Sequence, residues 1–486
     1  MKNLFCLMVR YAVFFLLIFQ VGCRKFLEIE APPNSVFSSS VFSNDALATS
    51  AVLAVYNGMI ESSSARFASG SGSISLLCGL SSDELQNFSI DISQREFYTN
   101  SLQANNGSSY LLWVNLYKYI YDANAILEGL NESKQLSLPV KKQLEGEAKF
   151  IRGLCLFYLV NLYGDVPIVL STDYKVNSTA GKRSAGEVYR QIVLDLSDAK
   201  EGLDGNYLDA ANVKTTERVR PTKYVASALL ARIYLYIKDY ANAEKEADLV
   251  INQTSMFSLL ELNEVFLKNS KEVIWSLQPV IPQYNSYDGL TFILVSVPSN
   301  VSLSDHQVNV FEPGDRRKIS WIGSVTSAGQ TYYFPFKYKV RFLPTAATPP
   351  TEYHVVMRLA EQYLIRAEAK INLGRINEGV SDLNILRNRA RATPTTTVPN
   401  PLPLLSESLS KEEALTALEY ERTAELFTEW GHRWFDLKRS GKADVIMPAI
   451  THLKGGEWKP EYKLYPIPQT EIDRNPNLQP QNPGYN

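Results

Sequence analysis

Four carboxylates, Glu421, Glu425, Glu429 and Asp436, surround His432 in the stretch EYERTAELFTEWGHRWFDLKRSG, with Arg422, Arg433, Lys438 and Arg439 interleaved. Acids and an imidazole at such spacing are the raw material of general acid–base chemistry. A zinc site is disfavoured, because His432 has no second histidine at ligand spacing and the four histidines of the chain are scattered. The surrounding pattern argues for architecture instead. Ser410 and Glu413 form a capping box, after which Leu415, Leu418, Arg422, Leu426, Trp430, Trp434 and Leu437 follow one another at steps of three or four. Arg422 therefore falls on the buried face of one long helix. A buried guanidinium must be paired, since removing its partner costs about 3–5 kcal/mol. Glu419 and Glu425, one turn away on either side, are its candidate partners, as are Glu361 and Glu368 of the preceding helix pair. The remaining charges are expected to point outward or to cap the helix end, where Lys438 and Arg439 suit the negative pole of the dipole. The segment reads as a structural ion-pair network on Arg422, Glu425 and Glu419, with no catalytic residue, metal or cofactor.

Such a helix needs a scaffold to hold it. SNDALATSAVLAVYNGMIES opens a first helix with Ser43 or Asn44 as N-cap. In SSYLLWVNLYKYIYDANAILEGL, Leu112, Leu116, Ile120 and Leu127 make a helical stripe, and a partner helix is expected from about Lys141 to Tyr163, after Pro139. An internal repeat is the more informative signal. Ala231, Tyr240, Ala243 and Ala247 take the same relative places as Ala367, Ile376, Gly379 and Leu383. Small residues beside large ones are what tetratricopeptide-type helix pairs need in order to nest, although generic helix hairpins remain an alternative. From about 279 to 350 the helical period disappears, and Pro, Gly and Ser punctuate short β-branched and aromatic runs: an irregular, partly stranded insertion. Residues 62–107 read as a Ser/Asn/Gly-rich loop region. The tail KLYPIPQTEIDRNPNLQPQNPGYN is expected to lie extended across the surface rather than pack as a helix.

At 486 residues the chain can bury a large core, and a net charge of −2 excludes an electrostatic nucleic-acid binder. Lys2 and Arg10, the run YAVFFLLIFQVG and then Cys23 have the architecture of a signal peptide over 1–22. The run is shorter than the roughly 20 apolar residues of a membrane-spanning helix. A cysteine directly after QVG resembles the lipobox of bacterial lipoproteins, with Gln20 where leucine is usual. The alternative is an ordinary cleaved signal and an unmodified Cys23. Of the mature thiols, Cys78 and Cys155, the second lies in an apolar helical run and is expected to be a buried free thiol rather than half of a disulfide.

The set ERTAELFTEWGHRWFDLKRSG, LYPIPQTEIDRNPNLQPQNPGY, LYKYIYDANAIL, EGEAKFIRGLCLFYLVNLYGDVPIV and CRKFLEIEAPPNSVFSSSVF resembles the SusD/RagB family of Bacteroidetes outer-membrane lipoproteins. The likeness covers nearly the whole mature chain, 23–486, as a single domain. It implies a mainly α fold on tetratricopeptide-like helix pairs, and a non-catalytic surface protein anchored to the outer membrane through Cys23. That protein would capture oligosaccharides or peptides and pass them to a SusC-like TonB-dependent β-barrel.

A glycan offers apolar C–H faces and hydroxyl edges, so its site needs exposed rings beside fixed polar groups. In the two irregular segments the candidates are Phe88, Tyr98, Tyr284, Tyr287, Trp321 and the pair Tyr332 and Tyr333. Asn87, Asp91, Arg95, Asn285, Asp288 and Arg341 are the candidate polar contacts. Trp321 stands out among the rings, lying between DRRK and a Gly/Ser turn. The bland alternative is that such rings form the loops' own small cores. Two rival functions remain, a protein-binding tetratricopeptide adaptor and a glycoside hydrolase, for which Asp83 and Glu84 are the nearest thing to a loop carboxylate pair.

Overall fold

Capping chemistry sets the helix entries. Asn44 Oδ1 accepts from Leu47 N–H at 3.0 Å and opens α1 (Asp45–Ile60) in the computed structural model, which describes residues 40–60 and 73–485. The signal segment 1–22, Cys23 and residues 61–72 of the first loop lie outside the described residues. The helices that follow are α2 (Ile74–Ser81), α3 (Gly107–Glu132), α4 (Leu138–Tyr163), α5 (Ala185–Gly202), α6 (Lys223–Tyr236) and α7 (Tyr240–Ile251). Then come α8 (Leu359–Asn372), α9 (Ile376–Ala390), α10 (Lys411–Leu426), α11 (His432–Arg439) and α12 (Ala443–Leu453). Helix α4 starts three residues before the expected Lys141, because Pro139 is accommodated in the first turn, where its missing N–H has no intrahelical partner to lose.

From α3 to α9 each helix packs on the next, and α10 packs on α8. This is the tetratricopeptide-like stack that the repeat implies: a mainly α scaffold. Tyr240 and Ile376 are the first residues of α7 and α9, and Ala231, Ala243, Ala247 and Ala367 are fully buried where the helices cross. Gly379 shows why small residues occupy these places. A Cβ there would stand 2.7 Å from the Ala367 carbonyl oxygen and 2.6 Å from Ile371 Cγ1. Gly379→Ala is expected to wedge α8 from α9 and cost about 1–3 kcal/mol in urea unfolding; an unchanged midpoint would mean that the pair does not need this close approach.

Among the described residues three two-stranded antiparallel ladders accompany the helices: β1 (Leu85–Asn87) with β3 (Val301–Leu303), β2 (Val273–Leu277) with β6 (His354–Arg358), and β4 (Ile322–Ser327) with β5 (Gln330–Pro335). The buried pair β2–β6 clamps together the two ends of the irregular segment 279–350, which holds β3, β4, β5 and short helices. No helix among the described residues is long and apolar enough to cross a membrane. Cys78 and Cys155 are both buried, free thiols.

Three expectations need correction. Residues 74–81 are not loop: they form α2, every residue of which is buried, because ISLLCGLS is largely apolar on all sides. The tail is not wholly extended; it includes a short helix, Gln469–Arg474, and sinks Tyr465, Ile467, Ile472 and Leu478 into the core. The long C-terminal helix is two helices. It breaks after Leu426, where Thr428, Trp430 and Gly431 take φ of 54°, 47° and 74°. The break is held from α2 and the turn after it: Glu84 accepts from Thr428 N–H at 3.0 Å, and Ser75 Oγ from Trp430 N–H at 3.0 Å. These tertiary bonds offset the strain of a positive φ at two non-glycine residues.

Candidate functional site

The charges of the C-terminal motif face inward. Glu425, fully buried, is a hub: Arg317 Nη1 donates to it at 3.0 Å, Arg358 Nη1 at 2.7 Å, and Arg389 Nη2 completes the set. Glu421 takes Arg317 at 3.0 Å and Arg387 at 2.6 Å, while Glu429 takes Arg358 at 2.7 and 2.9 Å together with Lys337. Asp315 and Glu272 bring the cations and carboxylates to equal number, binding Arg317 and Arg389 respectively. Burial alone would raise the Glu425 and Glu429 carboxyls; the neighbouring guanidiniums overcome it and hold Glu425 well below, and Glu429 below, the usual range. Lys337 is pushed down to about 8 by burial. The network ties the insertion (Asp315, Arg317, Lys337) to Glu272 just before β2, to Arg358 at the end of β6, and to α9 and α10, and so fixes the base from which β4–β5 projects.

Arg422 is buried, but its partner is none of those expected. Its Nε donates to Asp436 at 2.6 Å. Glu419 pairs instead with Arg433 at 3.3 Å and with Lys442, Glu361 binds Arg232 at 2.6 and 2.7 Å across α6 and α8, and Glu368 takes Arg439. The cause is the break at 427–431, which turns α11 back so that Asp436 rather than a neighbour on α10 meets Arg422. His432 is buried and stripped of basicity, first by burial and then by nearby guanidiniums, so it stays neutral. Lys438, half-buried, caps carbonyls of Asn161 and Lys463, and desolvation pushes it down to about 7. Among the described residues no group of His, Cys, Asp and Glu could hold a metal ion.

The rings separate into buried and half-buried sets. Trp321 is fully buried: its indole N–H donates to the Leu262 carbonyl at 2.9 Å, and the Lys337, Arg358 and Arg389 cations lie 5.1, 5.6 and 5.8 Å from its ring. It floors the ion network and is not a surface platform. Of the charged neighbours that suggested exposure, Asp315 and Arg317 are buried and paired with each other, while Arg316 and Lys318 do reach the surface. Tyr287 and Asn285 are also interior, Asn285 bonding Glu352 and Thr351. Asp288 is interior as well, its carboxyl raised well above the usual range chiefly by burial. Asp91 caps the short helix Ile92–Tyr98, and Asn87 folds back onto Ser89. Tyr98 is half-buried under the Lys454 cation, and Arg95 is exposed.

Two accessible aromatic clusters remain. Phe88, at the end of β1, meets Tyr332 of β5 edge to face at 5.7 Å; Tyr333 is half-buried beside it. The contact forms because Phe88 N–H pairs with the Asn300 carbonyl and extends the β1–β3 ladder, against which β5 packs. Tyr284 meets Phe342 at 5.8 Å, with the Arg341 guanidinium 5.3 Å from the Phe342 ring. Phe342 is 49% exposed and was not among the rings singled out from the sequence; its placement beside Arg341 was the available signal. Asp83 and Glu84 form no carboxylate pair across a cleft. Both are buried, Asp83 under Arg433 at 2.6 and 2.8 Å, and Glu84 pushed up to about 7 by burial.

A family model described as SusD family matches residues 322–485, and one described as starch-binding and associating with the outer membrane matches residues 25–235. SusD-like protein P2 of Formosa agariphila is 27% identical over 452 residues, spanning 81% of this chain and 84% of that protein. A SusD superfamily protein of Bacteroides vulgatus superposes with a TM-score of 0.74 at 20% identity, over 91% of this chain and 100% of its own. A laminarin-binding SusD-like protein gives 0.71 at 22% identity, over 91% and 100%. The two family models together take in well over half of the sequence, one at each end of the helical stack, and the chain belongs to the SusD/RagB family.

Proposed function

We propose that this chain is a non-catalytic nutrient-binding protein of the outer membrane that captures oligosaccharide on the partly exposed rings of its irregular segments and delivers it to a SusC-like TonB-dependent β-barrel. In this reading residues 1–22 direct secretion, and Cys23 carries the lipid that holds the mature domain, 23–486, at the cell surface. A peptide ligand is the lesser alternative, since paired rings offer the flat apolar faces that suit sugar C–H surfaces. The observation that carries the reading is the Phe88–Tyr332 pair, an accessible aromatic edge and face built from two distant segments. Support comes from the family description as starch-binding and from the laminarin-binding relative.

Calorimetric titration of the chain from Arg24 onward against plant, microbial and host glycans and a peptide panel tests this reading. At least one glycan is expected to bind with micromolar to millimolar affinity, about −8 to −4 kcal/mol, without release of reducing ends. Heat with peptides alone, or turnover of a glycan, would refute it. Tyr332→Ala and Phe88→Ala are each expected to weaken that glycan by about tenfold, the effect of losing one apolar contact of roughly 1.5 kcal/mol.

A further inference from the structure

A cavity of about 250 Å³ lies between the ends of α6 and α8 and the facing sides of α10 and α11. Its charges are almost, but not fully, matched. Asp436 accepts from Nε of Arg422 at 2.6 Å and from Nε of Arg439 at 2.8 Å. Glu368 takes the terminal nitrogens of Arg439, and Glu419 takes Lys442. Arg433, also in the wall, is neutralised from outside by Asp83. With Lys238 added, the cations that remain exceed the three carboxylates by one.

Two donors in this wall have no acceptor. Nη1 of Arg422 and the phenolic oxygen of Tyr236 are both buried without a hydrogen-bond partner, and Arg422 is only 4% exposed. Leaving a buried donor unpaired is destabilising, the more so on a charged group. In the neighbouring network Arg317 and Arg358 have acceptors on all three guanidinium nitrogens, and Nε of Arg389 alone among its guanidinium nitrogens lacks one. The orphan donors therefore call for an acceptor bearing one negative charge. Leu235, Leu415 and Leu418 add an apolar wall beside them, which suits a group with a short carbon chain better than a fully hydrated inorganic ion.

We propose that this cavity binds a small monocarboxylate, its oxygens on Arg422 Nη1 and the Tyr236 hydroxyl and its chain against the three leucines. The planar carboxylate matches the free edge of a guanidinium whose Nε is already committed to Asp436. This site is independent of the aromatic surface and does not rest on the glycan reading.

Butyrate titrated calorimetrically into the chain from Arg24 onward, at constant ionic strength with chloride and phosphate as controls, tests the proposal. Saturable heat at one site per chain is expected with butyrate alone. Tyr236→Phe, which keeps the ring, is expected to weaken butyrate by about threefold, and Arg422→Lys, which keeps the charge but removes the fork, by about tenfold or more. Titration of the same variants with the wild-type chain's glycan is expected to be unchanged. No heat with butyrate, heat with phosphate but not butyrate, or wild-type butyrate affinity in Tyr236→Phe would overturn the site. Because Tyr236→Phe loses only an unpaired hydroxyl, it keeps the test decisive even if Arg422→Lys does not fold.

Discussion

Replacing Glu425 with glutamine is expected to destabilise the folded chain by about 3–5 kcal/mol, because one carboxylate serves three buried guanidiniums and a neutral amide leaves them uncompensated. Arg317, Arg358 and Arg389 come from the insertion, the end of β6 and α9, so the loss falls on the join between the scaffold and the insertion. The pH dependence has a defined sign. The Glu425 carboxyl is held well below its ordinary value in the fold. Its stabilising contribution is therefore complete above the unfolded pKa, near 4.3, and is lost as pH falls through the lower folded value. Glu84 works in the opposite direction, since its raised carboxyl opposes folding as pH climbs towards 7. Subtracting the urea stability of Glu425→Gln from that of the wild type at each pH isolates the hub: the difference should be constant above about pH 5 and shrink below about pH 4. A difference that does not change with pH, or one below 1 kcal/mol, would mean that the network does not depend on this carboxylate.

Trp321→Ala is the second large effect. The side chain is fully buried, its N–H satisfies the Leu262 carbonyl, and Phe266 packs against it edge to face at 5.9 Å. Truncation opens a cavity under three cations and costs about 3–5 kcal/mol. A ring serving as a sugar platform behaves in the opposite way, losing ligand while stability is kept. Urea unfolding beside glycan titration separates the two: the expected result is a large fall in unfolding free energy, with residual binding by whatever fraction stays folded. Full stability with abolished binding would restore Trp321 to the ligand surface.

The contrast between these residues shows what the sequence makes legible. Periodic features survive translation into structure: the stripe of α3, the capping box of α10 and the shared offsets of Ala231 with Ala367 and Ala243 with Gly379 all appear where spacing puts them. The break at 427–431 was not legible. Trp430 sits at helical spacing, and the bonds that hold the break, from Ser75 to Trp430 and from Glu84 to Thr428, reach across more than 300 residues. Trp321 was misread for a related reason. DRRK looks solvent-facing in isolation, and only the fold brings Glu421 and Glu425 against Arg317. Pairing of Phe88 with Tyr332 was equally out of reach, since it depends on β5 packing beside the β1–β3 ladder.

A charged interior holds the fold, and in the proposed function the accessible rings take the ligand. The most direct test of this division is a calorimetric titration of Phe88→Ala/Tyr332→Ala with the glycan that the wild-type chain binds, on protein whose thermal midpoint has been checked. The account predicts loss of binding by about two orders of magnitude, each ring contributing about tenfold, with the midpoint unchanged. Wild-type affinity in the double variant would contradict it.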